Sequence, residues 1–122
     1  MRRILVAEDD PALRFLYGIW IDAGGGEAVV AADGREAIGR LERGPLPDAA
    51  VLDVDMPFVD GLSVCRYLHA RAPTIPIVVV SGIEDVRPAA LAAGANAVLA
   101  KPCGRDDLLG ALAGTPILRR AS

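Results

Sequence analysis

Five short apolar runs, each closed by polar or small residues and each followed by a helix-like segment, constrain this chain more than any other feature. They are Arg3–Ala7, Ala28–Ala32, Ala49–Leu52, Ile75–Val80 and Ala97–Ala100. Apart from Arg3 and Pro76 they are continuously apolar rather than alternating. That is the pattern of strands buried on both faces, as in a parallel sheet.

The segments between them read as helices. Pro11–Ala23 sets Leu13, Leu16 and Trp20 at helical spacing, with Asp10 as N-cap and proline at the first helical position. Arg35–Arg43 and Leu62–Ala70 follow, the latter fed by an Asp60-Gly61 turn. The fourth helix is expected to be short: Pro88 belongs in its first turn and Gly94 stops it after Ala93. Gly104–Ala113 is the fifth, closed by Gly114 and Pro116. Phe15, Tyr17 and Trp20 read as core or half-buried positions of the first helix. A repeated βα unit of this kind implies an open, doubly wound α/β sheet with right-handed crossovers, here five strands over residues 1–122 as one domain.

Composition excludes several classes. With 122 residues and 52% hydrophobic content the chain can bury one core. Its 13 basic and 16 acidic residues leave a net charge of −3, and the pairs Arg2-Arg3 and Arg119-Arg120 make no basic patch, so nucleic-acid binding by this domain is not expected. Cys65 and Cys103 are far apart and His69 is the single histidine, which argues against a zinc site and a disulfide framework and suits reduced thiols in the cytoplasm. No stretch is long and apolar enough for a leader or a membrane span. Gly24-Gly25-Gly26 precedes the second strand rather than following the first, unlike a dinucleotide loop.

In doubly wound sheets ligands bind beyond the carboxyl ends of the strands. Four of the five ends deliver polar chemistry here: Glu8, Asp9 and Asp10 after the first strand, Asp53 after the third, Ser81 after the fourth and Lys101 after the fifth. Carboxylates converging on one pocket repel one another and lose solvation, so a cation must neutralise them or some must stay protonated. All-oxygen ligands suit Mg²⁺. An Asp carboxylate beside such a metal can attack a phosphoryl donor, with a lysine and a hydroxyl holding the equatorial oxygens. Asp10 is expected to serve as a helix cap rather than a ligand, and His69 as a bystander.

The ordered set Ile4-Leu5-Val6-Ala7-Glu8-Asp9-Asp10-Pro11, Val51-Leu52-Asp53-Val54-Asp55-Met56-Pro57 with Gly61, Val79-Val80-Ser81-Gly82 and Lys101-Pro102 resembles the receiver domain of bacterial two-component response regulators, over essentially the whole chain. The resemblance implies a flavodoxin-like sheet in the order 2-1-3-4-5. It implies that Asp53 is the phosphoacceptor, that Asp9 ligates Mg²⁺ directly and Glu8 through water, and that the main-chain carbonyl of Asp55 completes the protein's share. Ser81 would hydrogen-bond the phosphoryl oxygens and Lys101 would pair with them. The phosphodonor would be a histidine kinase or phosphotransfer protein, the output an unspecified downstream partner or domain. The protein would be a switch performing only its own phosphorylation and dephosphorylation, not an enzyme with a separate substrate. Homodimers are common in the family, through the face of the fourth helix, fifth strand and fifth helix. Lys101-Pro102 would be cis.

Two departures stand out. The family usually carries an aromatic residue three positions before the lysine; Val98 stands there, and Cys103 follows Lys101-Pro102 where Phe is common. The rotamer relay of that ring therefore has no counterpart, and output is expected through the loop from Gly82 to Arg87. Two rivals remain. Asp53-Val54-Asp55 resembles the nucleophile motif of haloacid-dehalogenase-type phosphohydrolases, although that family lacks an earlier acidic pair and adds a later one. A receiver-like interaction module that works without phosphorylation is the second.

Overall fold

The computed structural model describes residues 2–113, so the expected stop at Gly114 and Pro116 and the Arg119-Arg120 pair lie outside the described residues. Five strands and five helices alternate: β1 Arg3–Ala7, α1 Pro11–Ala23, β2 Glu27–Ala31, α2 Gly34–Arg43, β3 Ala49–Asp53, α3 Gly61–Arg71, β4 Ile77–Ser81, α4 Arg87–Ala93, β5 Ala97–Ala100 and α5 Arg105–Ala113. All pairings are parallel, in the order β2-β1-β3-β4-β5. Every residue of β3 and β4 is buried, which is what continuous apolar runs demand.

Side chains alternate across the sheet and divide the interior in two. Leu5, Leu52, Ile77 and Val79 face Val64 and Leu68 of α3. Ile4, Val6, Val51, Val78 and Val80 face Tyr17 and Ile21 of α1 and Leu108 and Leu112 of α5. Among the described residues no helix is long and apolar enough to cross a membrane.

The first three helices start on aspartates. Asp10 Oδ1 accepts from the Ala12 and Leu13 amides, Asp33 Oδ1 from Glu36 N and Asp60 Oδ1 from Ser63 N. Each satisfies backbone donors that a helix start leaves orphaned. Helix α4 is short, as expected: seven residues, Pro88 in the first turn, no side-chain cap at Val86, and a stop at Gly94 with φ +113°. The exposed His69 ring covers Gly94 and occupies the space a Cβ there would need, so it packs against the end of α4.

Three expectations need adjustment. Strand β2 starts one residue earlier than the apolar run because Glu27 N donates to Arg2 O, extending the ladder into a charged residue. Strand β4 starts at Ile77, after Pro76, which cannot donate to a ladder. Phe15 is not a core or half-buried position: it is 71% exposed, while Tyr17 is buried and Trp20 half-buried. At 100° per residue, Phe15 points about 200° away from Tyr17, so one helix cannot bury both against the same sheet.

Candidate functional site

The strand registers align the carboxyl ends. Ala7 sits opposite Leu52, Asp53 opposite Val80, and Ser81 opposite Ala100. Glu8, Asp53, Ser81 and Lys101 therefore leave the sheet within one layer of one another. Glu8 is fully buried and Asp53 is 3% exposed, while Asp9 is exposed at the rim. One carboxylate oxygen from each of the three lies within 4.8 Å of the others.

Lys101 bridges the two buried anions. Its Nζ is 2.9 Å from Glu8 Oε1 and 3.1 Å from Asp53 Oδ1. Beyond that ammonium, Oε1 receives no hydrogen bond from a described residue, although it is shut away from water. Glu8 Oε2 accepts from the Asp10 amide at 3.1 Å. Two anions sharing one cation in a dry pocket are under-neutralised. Burial, then the Glu8 charge, push the Asp53 carboxyl up to about 7 against the opposing pull of Lys101. Burial alone would lower the Lys101 ammonium, but its bonds to Glu8 and Asp53 outweigh that and hold it above the ordinary lysine range.

The loop after β3 is tightly tied. Gly61 N donates to Val54 O, and a Cβ on Gly61 would overlap the Asp53 carbonyl, so only glycine lets α3 start against the end of β3. The Asp55 carbonyl takes no hydrogen bond from a described residue. Ser81 is buried, and its Oγ accepts from the Ile83 amide at 2.9 Å, linking the end of β4 to the following loop. Lys101 N donates to Ser81 O, and the Lys101-Pro102 bond is cis.

Asp10 is a cap, as expected, while its amide also braces Glu8. Val98 is half-buried and packs against the interior on the α3 side, with no ring to swing. Two contributors to the site were invisible in the sequence. Arg14 Nη1 donates to the carbonyls of Glu8 (2.9 Å) and Asp9 (3.4 Å), so an arginine one turn into α1 fastens the acidic loop. Nothing in its spacing announces this, because the bond goes to backbone. Tyr17 is the other. Its hydroxyl is 3.9 Å from Cys103 Sγ beneath the pocket, and burial raises its pKa well above the tyrosine range.

The donor set fits Mg²⁺: all ligand atoms are oxygens, one buried carboxylate oxygen has no hydrogen-bond donor but an ammonium, and a free carbonyl stands two residues after Asp53. A cleft of about 600 Å³ lies towards the opposite end of the strands, between Arg3, Glu27 and Arg43, and none of these carboxylates lines it.

Comparison with known proteins agrees with this arrangement. The response regulator MprA of Mycolicibacterium vanbaalenii is 41% identical over 122 residues, covering 98% of this chain and 52% of the relative. MprA of Mycobacterium leprae is 41% identical over 109 residues, covering 88% and 47%. The chain thus spans about half the length of the curated relatives it matches. Among solved structures, a putative response regulator from Chloroflexus aurantiacus superposes with a TM-score of 0.86 at 30% identity, covering 98% of both chains. The response regulator TrrA of Thermotoga maritima, described in complex with Mg²⁺-BeF, superposes at 0.82 with 27% identity, covering 90% of this chain and 95% of that one. The family model for the response regulator receiver domain matches residues 4–113, nearly the whole described structure, and the chain belongs to that family.

Proposed function

We propose that Asp53 accepts a phosphoryl group from a phosphohistidine of a histidine kinase or phosphotransfer protein. The observation that carries this is the buried Asp53 carboxylate with Glu8 and Asp9 oxygens within 4.8 Å and Lys101 Nζ at 3.1 Å. Glu8, Asp9, Asp53 and the Asp55 carbonyl would hold Mg²⁺, which neutralises the acidic cluster and the charge of the incoming phosphoryl oxygens. An Asp53 carboxylate oxygen forms the new O–P bond as the N–P bond to the donor imidazole breaks, and the imidazole leaves with that electron pair. Lys101, on a side chain already shared between Glu8 and Asp53, turns to the phosphoryl oxygens. Ser81 donates a hydrogen bond to them through its hydroxyl while its Oγ continues to accept from Ile83 N.

This chemistry makes the protein a switch that acts on its own carboxylate. The family assignment displaces the phosphohydrolase alternative. The free thiols of Cys65 and Cys103 are compatible with a cytoplasmic setting. Output runs through the loop Gly82–Arg87, because the Ser81 Oγ to Ile83 amide bond joins that loop to the pocket; Asp85 is held at φ +60° within it. The downstream partner receives the signal from this loop and α4.

Incubation with acetyl phosphate or a phosphorylated donor and Mg²⁺ should add one phosphoryl group, absent in Asp53→Asn. Labelling that persists in that variant refutes the assignment. Amide chemical shifts of residues 82–87 should move on adding BeF₃⁻ with Mg²⁺; an unchanged loop refutes the output route.

A further inference from the structure

The loop from β3 to α3 carries a strained residue. Phe58 stands at φ +70°, and Val59 N donates to Pro57 O across it at 2.8 Å. This is a tight three-residue turn of the left-handed kind, which a bulky side chain adopts only at a cost. Phe58 is also 70% exposed, so burial of its ring does not offset that cost. What covers the ring is a cation. The Arg35 guanidinium lies 3.9 Å from the ring centroid, well inside the range of a cation–π contact.

Arg35 is as unexpected as its partner. It stands in the first turn of α2, where the helix dipole disfavours a positive charge. It has no ion-pair partner among the described residues. Helix and loop meet at a second point beside it. A Cβ on Gly34 would overlap the Val59 carbonyl, so only glycine lets α2 begin this close. The first turn of α2 thus abuts the loop at both Phe58 and Val59.

The loop has few other ties. Its ends are pinned where Gly61 N donates to Val54 O, but no backbone–backbone hydrogen bond reaches Asp55, Met56 or Phe58 from a described residue. Met56 and Val59 hold by packing against the interior. The Asp55 carbonyl lies three residues before the strained turn. Mg²⁺ demands near-ideal octahedral geometry, so a small shift of a ligand oxygen weakens its binding.

We propose, on the reading of the pocket as an Mg²⁺ site, that Arg35 is a positioning residue for the metal. Stacked on Phe58, it holds the turn in its left-handed form and so sets where the Asp55 carbonyl stands. Its charge alone would act with the opposite sign, because deleting a cation from this end of the sheet favours Mg²⁺.

Titration of the full chain with Mg²⁺, followed through the amide resonances of Asp53 and Asp55, tests it. Arg35→Ala should weaken binding about threefold, the worth of an exposed cation–π pair. Arg35→Lys, which keeps the charge and can still stack, should recover part of the loss. In the Phe58→Gly background the turn forms without strain and no ring remains, so Arg35→Ala should cause no loss there. Circular dichroism confirms that each variant is folded. Arg35→Ala binding as tightly as wild type, or an equal loss in the Phe58→Gly background, overturns the role of Arg35 and leaves the Mg²⁺ site standing. A wild type that takes up no Mg²⁺ overturns both.

Discussion

Replacing Asp53 with asparagine should stabilise the metal-free protein. In that state Glu8 and Asp53 share one ammonium inside a closed pocket, and at 3% exposure solvent does little to screen Asp53. Its carboxyl is raised from 3.8 to about 7, by burial first and Glu8 second. A rise of about three units at ~1.4 kcal/mol per unit amounts to about 4 kcal/mol of folding free energy lost on ionisation. The native state holds this proton after the unfolded chain has released it. The contribution is therefore fully present below pH ~4 and lost as pH rises to about 7. Asparagine keeps the shape and never ionises. Allowing for relaxation of the pocket, the variant should be more stable by roughly 2–4 kcal/mol at pH 8, an increase of roughly 6–15 °C in Tm for a domain of this size. At pH 4 the difference should vanish. Thermal unfolding followed by circular dichroism in EDTA at both pH values measures it. Mg²⁺ at about a hundred times its Kd should then stabilise the wild type by about 2.7 kcal/mol and the variant far less. An Asp53→Asn protein no more stable than wild type at pH 8 would refute the electrostatic reading of the pocket.

Lys101→Ala strands Glu8 and Asp53 without their cation; it should cost about 3 kcal/mol in EDTA by urea unfolding, with part recovered on adding Mg²⁺. Gly61→Ala drives a methyl into the Asp53 carbonyl and should cost about 3 kcal/mol while weakening BeF₃⁻ binding, measured by calorimetry. Of the two thiols, Cys65 is fully buried, donates to Ala93 O and is pushed up to about 11 by burial. Ellman's reagent should therefore label the half-exposed Cys103 in the native protein and reach Cys65 only on unfolding; equal native rates would contradict the packing.

Much of the architecture is legible because few physical signals compete. Continuous apolar runs such as Val78-Val79-Val80 have no use except in a strand covered on both sides. Asp10-Pro11 and Asp60-Gly61 mark helix starts through local bonding alone. Boundaries were less legible: Pro76 removes a ladder donor, and β2 extends into Glu27 because its partner strand supplies an acceptor. Phe15 was misread for a related reason, since spacing along a helix reports which residues share a face and leaves open which face meets the sheet.

For the site, the residue types and their places at strand ends were in the sequence. The makeup of the pocket as three carboxylates, a hydroxyl and a lysine follows from local order along the chain. Tertiary structure alone decided the ionic balance. It sealed Glu8 from water, placed one ammonium between two carboxylates, and recruited Arg14 to the backbone of the acidic loop. Solvation and Coulomb energies depend on distances between segments tens of residues apart, and only the parallel register of β1, β3, β4 and β5 sets those distances.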